Sequence, residues 1–431
     1  MKKNKLLFCL AAVGALALTG CSFEYNYDVA LYPFDDQLPD TDDDGGSYSI
    51  KVWCDKSILT LTQTQISAFE TLNNGKYKLT VNVEPESEGD AASDMLQDVQ
   101  SGADIFCFAQ DQLSRLKIAG ALMDITSTMA DSVKSDNVKG SINAASYAGQ
   151  LCAFPMTSDN GYYMYYDKSV LSETDILDMD TIIAKLTALR DQGKSNFHIN
   201  YQVFSNGFYA ASYFMATGCY SKWSIDAATG NFTGYEDSYK ANGMPAMKAL
   251  QKLKKSDLVS PNDQTNKLGD TASVAISGIW NYAAAKQALG ENLGCAPMPS
   301  FTQDGTAYHI SSFSGYKLIG VKPQTDSKKA SVCRKIARYL TNEQCQTERF
   351  NTAGWGPSNI AASNTEAVLA QPGLQALAKQ DEFAKEQSIC PGSWWSNVAT
   401  LASSVKADST EADFTNFLNI YDSNLEGLKD D

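Results

Sequence analysis

The sequence predicts an α/β protein of two lobes joined by crossing segments. Three observations indicate this fold class. The 431 residues exceed what one small core requires, so two or three domains are expected. Residues 48–119 alternate between strand-like and helix-like patterns. Residues 149–169 then interrupt that pattern with Pro155 and a polar run, as a segment passing between lobes would.

The N-terminus has the pattern of an export signal. A basic start, Met1 to Lys5, precedes an apolar stretch that ends at Leu18 and is too short to span a bilayer. The following Leu18-Thr19-Gly20-Cys21 resembles the lipobox of bacterial lipoproteins, in which the cysteine is lipidated. The expected division is a signal peptide over 1–20 and a lipidated Cys21 that opens an acidic, flexible linker over 21–47. A plain secretory signal with an incidental cysteine is the alternative.

The first lobe is expected to begin as a doubly wound sheet. Residues 48–52 alternate as a strand, 59–72 have helical spacing, 77–83 alternate again, 91–99 are helical, and 103–109 form an apolar run before a helix over 111–119. Ligands bind outside the carboxyl ends of strands in such sheets. Two of those ends carry polar residues, Asp55-Lys56 and Asp111, and both open onto the same edge.

The crossing segment runs from Gly149 to Ser169. Pro155 should end regular pairing, and Thr157 to Gly161 can bend. The four tyrosines that follow, at 162, 163, 165 and 166, are expected on a half-wet strand surface. This places Asp159 at a cleft between lobes. An ordinary hairpin with a tyrosine-rich strand is the alternative.

The remaining elements complete the second lobe and return to the first. The expected helices and strands cover the following ranges: helices over 181–192, 210–217, 242–255, 327–340, 343–351, 365–386, 394–406 and 411–428, and strands over 272–276, 293–299 and 311–321. Polar and aromatic residues also follow the strand that ends at Ile276, including Trp280. The histidines, His198 and His309, are expected to be structural or exposed.

Composition excludes several classes of function. The net charge of −15 argues against nucleic-acid binding, which needs a basic face. No His/Cys cluster has metal-ligand spacing, so no metal or cofactor is expected. Eight cysteines beyond Cys9 and Cys21 are scattered singly. That pattern favours free thiols, although disulfides are possible in an exported chain and their pairing cannot be deduced.

Several blocks, taken in order, resemble the extracellular solute-binding proteins of ABC sugar importers, particularly the maltose/maltodextrin-binding group. They occur at the positions listed here: Asp55-Lys56, Asp104 to Asp111, Gly120 to Thr126, Gly149 to Pro155, Gly278-Ile279-Trp280, Ala296 to Pro299, and Gly315 to Val321. The resemblance covers about residues 50–428. It implies a type II periplasmic-binding-protein-like fold, with each lobe a mostly parallel sheet flanked by helices and with hinge crossovers. The implied boundaries are 48–157 and 308–358 for lobe 1, and 158–307 and 359–431 for lobe 2.

The resemblance also implies ligand-binding residues. On lobe 1 it points to Asp55, Lys56, Phe108 and Asp111, with Asp159 at the crossover; on lobe 2 it points to aromatic platforms at Phe208, Tyr209, Trp280 and Trp395. Gln112 and Ala399 stand where the family has arginines that help to fix specificity for maltodextrins. Each residue also has a structural alternative: an ion pair for Asp55 and Lys56, a helix N-cap for Asp111, or a core position for Trp280. Trp394 and Trp395 cannot share one helix face, so one is expected in the core.

The expected function is therefore capture rather than catalysis. The resemblance implies an extracytoplasmic, lipid-anchored monomer that binds oligosaccharides, with maltodextrins or other α-glucans first, and delivers them to two permease subunits served by a cytoplasmic ATPase. The alternatives are a surface protein that tethers polysaccharide without transport, and a glycosidase, which would need two carboxylates about 5 to 10 Å apart.

Overall fold

Two open sheets, each covered by helices, form the framework of the chain. The structure is a computed structural model that describes residues 46–72, 77–226, 231–261 and 265–430. The expected signal peptide, Cys21 and the linker lie outside the described residues.

The strands are short, as expected where sheets are wound with helices. They are β1 Ser47–Cys54, β2 Lys78–Pro85, β3 Ile105–Ala109, β4 Ser146–Tyr147, β5 Gln150–Leu151, β6 Phe154–Pro155, β7 Tyr163–Asp167, β8 His198–Asn200, β9 Ser221–Ile225, β10 Phe232–Asp237, β11 Val259–Ser260, β12 Ala272–Ser277, β13 Leu293–Ala296, β14 Ser300–Gln303, β15 Thr306–His309, β16 Phe313–Ser314, β17 Lys317–Val321 and β18 Lys385–Glu386.

The helices cover both faces of the sheets. They are α1 Leu59–Leu72, α2 Ala91–Gln97, α3 Leu113–Ile118, α4 Ser127–Asp136, α5 Lys139–Ala144, α6 Met179–Asp191, α7 Gly207–Ala216, α8 Tyr239–Asn242, α9 Met244–Ser256, α10 Tyr282–Leu289, α11 Ser327–Leu340, α12 Glu343–Ala353, α13 Ile360–Ser363, α14 Glu366–Leu369, α15 Pro372–Gln380, α16 Gly392–Ser404 and α17 Glu411–Leu425. None of the described helices is both long enough and apolar enough to cross a membrane.

The first sheet has the order β2-β1-β3-β17-β6 in the described residues. Strands β2, β1 and β3 are parallel, which confirms the wound β-α-β-α-β beginning. Strand β17 is antiparallel to both of its neighbours, β3 and β6, because it enters the sheet from the other lobe. Strand β6 therefore points the same way as β2, β1 and β3, and β17 is the one reversed strand of the five, which confirms a mostly parallel sheet.

The second sheet repeats this arrangement with the order β11-β8-β12-β7-β13 in the described part of the chain. Strands β11, β8 and β12 run parallel. Strand β7, which arrives from the first lobe, is antiparallel to both β12 and β13. The two sheets thus have the same arrangement. In each, the strand that arrives from the other lobe, β17 or β7, is antiparallel to its neighbours.

Separate hydrophobic cores lie behind the two sheets. The first draws on residues between Tyr48 and Met156 and between Leu318 and Trp355. The second draws on residues between Tyr162 and Phe313 and between Cys390 and Leu425. A smaller cluster on the other face of the second sheet packs β7 and β12 against α10 and α15. These cores confirm a two-lobed α/β fold.

The crossover begins where Pro155 ends β6, an edge strand, as proline's missing N–H requires. Gly161 then passes close to the returning chain: a Cβ there would lie 2.6 Å from the Phe313 carbonyl oxygen. A third connection contributes β18, which pairs with β16 between the lobes.

The tyrosine-rich strand β7 is fully buried, contrary to the half-wet surface expected. It lies inside the sheet with helices on both faces, so its alternate residues enter two different cores. The hydroxyl of Tyr163 donates to that of Tyr165 at 2.6 Å, and Tyr165 donates to the Gly278 carbonyl at 2.7 Å. Hydrogen-bond partners inside the protein thus replace water for these two hydroxyl groups.

Other local expectations also need correction. The long helix expected over 365–386 is two helices, α14 and α15, followed by strand β18, since Pro372 starts a new helix at its first position. The hairpins β9–β10 and β14–β15 were not expected. The eight described cysteines are free and, apart from half-buried Cys295, buried.

Candidate functional site

Strands β1 and β3 end side by side and carry the first predicted residues. Asp55 is half-buried and begins a short 3-10 helix, Lys56–Ile58, accepting hydrogen bonds from the Ser57 backbone N–H at 2.7 Å and hydroxyl at 2.6 Å. The partner of Asp55 is therefore Ser57 rather than Lys56, so the ion-pair alternative is wrong. Lys56 is exposed.

Lys317 lies at the centre of the contact between the lobes. It starts β17 in the first sheet, its side chain is buried, and its ammonium is 2.5 Å from a Glu88 carboxylate oxygen. The same ammonium lies 3.8 Å from the ring centroid of Trp355 and 5.3 Å from that of Trp280. Both distances are within the range of cation–π attraction. Because Trp280 follows β12 of the second sheet, Lys317 joins the two lobes.

Asp159 belongs to the same polar group but is enclosed rather than open to a cleft. Its Oδ2 accepts the Gly356 backbone N–H at 2.5 Å, and its Oδ1 is buried without a hydrogen-bond partner among the described residues. Burial raises the pKa of Asp159 despite the nearby Lys317 ammonium. Burial also lowers the pKa of Lys317, but Glu88 and Asp159 outweigh it and leave that pKa above its ordinary value. Lys317 is therefore charged.

Asp111 is a second buried carboxylate at the end of β3. Its Oδ2 accepts from the Gln112 side-chain amide at 2.5 Å, and its Oδ1 has no hydrogen-bond partner in the described residues. Burial raises the pKa of Asp111 to about 6. Asp111 lies within a 3-10 helix, Gln110–Gln112, and Gln112 holds the N-cap position of α3. The N-cap alternative for Asp111 is therefore wrong.

Phe108 does not offer a face to a ligand. It is fully buried in the first core, with its ring 5.5 Å from that of Phe106. Strand β3 lies inside its sheet, and both of its faces are covered, so even a residue near its carboxyl end is enclosed. The expected stacking role of Phe108 is not supported by this position.

A group of aromatic side chains forms the second-lobe part of the site. Phe208 and Trp395 are half-buried, and their ring centroids are 6.3 Å apart. Phe313, from the crossover, stacks on Phe208 at 5.5 Å and contacts Trp395 edge-on at 5.3 Å. Tyr209 is buried behind Phe208 and packs on Tyr162. We call Phe208, Phe313 and Trp395 the aromatic group.

The two adjacent tryptophans of α16 lie in different environments, as expected. Trp394 is buried and its indole N–H donates to the Tyr421 hydroxyl at 3.0 Å. Trp395 is half-buried in the aromatic group. Trp394 is therefore a core residue, and Trp395 is the one available to a ligand.

The structure thus brings the predicted residues into two sets. Asp55, Asp159 and Trp280 surround Lys317, while Phe208 and Trp395 lie together on the second lobe. Four residues of the site were not predicted from the sequence: Lys317, Glu88, Trp355 and Phe313. One signal could have revealed Lys317: a lysine opens the apolar strand Lys317–Val321, and a buried lysine needs a carboxylate partner.

The site combines charged side chains with aromatic rings. Half-buried Asp55 and exposed Lys56 supply an accessible acceptor and donor for hydrogen bonds. Asp111, Asp159 and Lys317, in contrast, are buried. Half-buried rings supply flat apolar faces. No group of three or more His, Cys, Asp or Glu side chains in the described residues is placed to hold a metal ion.

Comparisons with known proteins agree with the two-lobed fold. One solved structure, with acarbose, is 26% identical with a TM-score of 0.75 and covers 89% of this chain and 99% of its own. A maltodextrin-binding protein from L. casei BL23, solved without ligand, is 21% identical with a TM-score of 0.72 and the same coverage of both chains. The maltose/maltodextrin-binding domain from Bdellovibrio bacteriovorus, bound to maltotriose, is 17% identical with a TM-score of 0.71, covering 88% and 99%.

A sequence search of curated proteins finds no match. The profile of one protein family, however, matches residues 64–376, which is more than half of the chain. That match spans both sheets and both sides of the crossover. The chain therefore belongs to the family of bacterial extracellular solute-binding proteins.

Proposed function

We propose that this protein captures oligosaccharides between its lobes as the solute-binding component of an ABC importer. The observation that carries the proposal is the meeting of Lys317, from the first sheet, with Trp280, from the second, at 5.3 Å. A buried lysine of one lobe, paired with Glu88, there contacts an aromatic ring of the other. A ligand that touches both lobes favours the closed arrangement through those contacts.

The chemistry of the lining supports a sugar. Trp280, Phe208 and Trp395 are half-buried, so each ring keeps an accessible part. Pyranose rings have apolar faces that pack on such rings and hydroxyls that bond to carboxylates and ammonium groups. The solved relatives that bind acarbose or maltotriose support α-glucans, such as maltodextrins, as the first ligands to test.

The roles of individual residues form part of the proposal. Asp55, Lys56 and Asp111 would bind hydroxyls on the first lobe, and Asp159 would hold Lys317 in place from the crossover. Lobe 1 is proposed as 48–157 with 308–358, and lobe 2 as 158–307 with 359–431. Family membership supports an extracytoplasmic location; the lipid anchor at Cys21, the permease subunits and the ATPase are proposed in addition.

Calorimetry on the full chain tests the ligand. Maltose, maltotriose and maltotetraose are compared with xylo- and galacto-oligosaccharides, and the mixtures are then checked for cleavage products. One-to-one binding of the maltodextrins alone supports the proposal. Binding of the xylo- or galacto-oligosaccharides instead would assign a different sugar as the ligand. Cleavage products would indicate an enzyme. No binding of any of these sugars would refute sugar capture.

Trp280→Ala tests the site. We expect binding to weaken by about 1 to 3 kcal/mol, as is typical of an aromatic anchor at an interface. Trp223→Ala is a matched control, because Trp223 is also half-buried but packs on Phe232 and Tyr235 in the β9–β10 hairpin. If the two variants bind the oligosaccharide with equal affinity, Trp280 is not part of the binding site.

Cys21→Ala tests the anchor. Metabolic labelling with a radioactive fatty acid should mark the wild-type chain and leave the variant unlabelled, with the variant released from the membrane fraction. Labelling of both chains, or of neither, would contradict anchoring at Cys21.

A further inference from the structure

A cavity of about 370 Å³ lies in the second lobe, beside the aromatic group. Its volume is within the range of about 300 to 1,000 Å³ that is common for small-molecule pockets. It lies between the end of α7, the start of β9, strand β18 and the start of α16. The lining residues that matter here are Tyr220, Lys222, Phe313, Glu386, Ser388 and Trp395.

The cavity shares two walls with the proposed sugar site. Phe313 and Trp395 line it, and the same two rings contact Phe208 in the aromatic group. Phe313 and Trp395 are therefore common to the cavity and to the aromatic group. A chain-like ligand held against Trp395 could extend from one space into the other.

Tyr220 gives the cavity an unusual feature. It is one of the few large aromatic residues that the described chain exposes, with 45% of its surface accessible. The Lys222 ammonium lies 5.1 Å from the centroid of the Tyr220 ring. An exposed aromatic ring that lines a cavity is suited to packing against a flat ligand.

The other polar groups match the chemistry already described between the lobes. Glu386 supplies a carboxylate, Lys222 an ammonium and Ser388 a hydroxyl, while Phe313 and Trp395 supply apolar faces. Sugar hydroxyls and pyranose faces need this combination. A purely apolar ligand would leave the charged groups without partners.

The geometry points to this cavity as an additional sugar subsite, with Tyr220 as its platform. It accepts the far end of an oligosaccharide whose first rings occupy the space between the lobes. This inference rests on the proposed function and adds to it a preference for longer chains.

The test compares short and long ligands on the full chain. Maltotriose and maltohexaose are titrated into the wild type, and the ratio of their affinities is measured. We expect maltohexaose to bind about three- to tenfold more tightly than maltotriose, corresponding to one additional ring contact. Tyr220→Ala should remove most of this advantage, and Tyr220→Phe should keep it.

A second variant fills the space instead of removing the platform. Ser388→Trp should also lower the ratio, and Ser423→Trp, on the exposed face of α17, is the control with the same change in size. The inference is overturned if both ligands bind the wild type equally, or if Tyr220→Ala or Ser388→Trp leaves the ratio unchanged. Absence of binding by either ligand would instead refute the proposed function.

Discussion

Asp111→Asn separates the structural role of this residue from its proposed role in binding. The wild-type carboxylate is buried, with one oxygen bonded to Gln112 and the other unpartnered among the described residues. Asn has the same shape, keeps an oxygen that can accept from Gln112, and carries no charge. The substitution therefore removes mainly the cost of burying an ionised group.

The size of that cost follows from the pKa. Burial raises the pKa of Asp111 from an ordinary value of 3.8 to about 6. A pKa difference of one corresponds to 1.36 kcal/mol, so ionising Asp111 costs the folded state about 3 kcal/mol at neutral pH. Between pH 4 and 6 the native state binds more protons at this group than the unfolded state does. This group therefore lowers the stability of the wild type as pH rises through that interval.

Urea unfolding of both proteins from pH 4 to 8 measures this directly. The stability of Asp111→Asn relative to wild type should increase by about 2.5 kcal/mol from pH 4 to 7 and then level off. Exposed Asp131 offers a control, and Asp131→Asn should change stability by no more than about 0.5 kcal/mol. A stability difference between Asp111→Asn and wild type that stays constant over the whole range would refute the reasoning.

The same variant informs the proposed function. If the Asp111 carboxylate binds sugar hydroxyls, Asp111→Asn should weaken oligosaccharide binding at pH 7 while it stabilises the fold, because a charged acceptor makes the stronger hydrogen bond. Stabilisation without loss of affinity would leave Asp111 outside the site.

Three further predictions concern positions between and behind the lobes. Lys317→Met should lower the free energy of unfolding by about 3 kcal/mol in denaturant titrations, because a buried carboxylate loses its cation; an unchanged midpoint would argue against the ion pair. Trp394→Phe should cost about 1 kcal/mol through the lost hydrogen bond to Tyr421, visible as a lower melting temperature, and no shift would mean that this bond contributes nothing. Gly161→Ala should destabilise the crossover, since its Cβ would approach a backbone carbonyl to 2.6 Å; calorimetric melting that matches wild type would show that the two segments can separate there.

Elements with strong periodicity were predictable from the sequence. The helix expected over 327–340 is α11 with the same bounds, and the helix over 59–72 is α1. Asp326 explains the first case, since its side chain accepts from the N–H groups of Lys328 and Lys329 and caps the helix. Local sequence patterns with clear capping residues therefore predicted most elements of the fold.

Burial depended on which strands became neighbours, and no local pattern contains that information. Tyr163 and Phe108 were expected at accessible positions, but each lies on a strand that is covered on both faces. A tyrosine in a central strand differs from one at an edge only through its partners. Lys317 was missed for the same reason: its carboxylate partner, Glu88, is more than two hundred residues away in sequence.

The position of Lys317 also limits how much energy the lobes gain by meeting without ligand. Its charge is paired with Glu88 inside the first lobe, so that pair does not depend on closure. Trp280 adds a cation–π contact at 5.3 Å only when the second lobe is in the observed position. Such a contact contributes about 1 kcal/mol, which favours the observed arrangement of the lobes about fivefold. If the protein captures an oligosaccharide between its lobes, as proposed, the contacts of that ligand with both lobes must supply the rest of the preference for this arrangement.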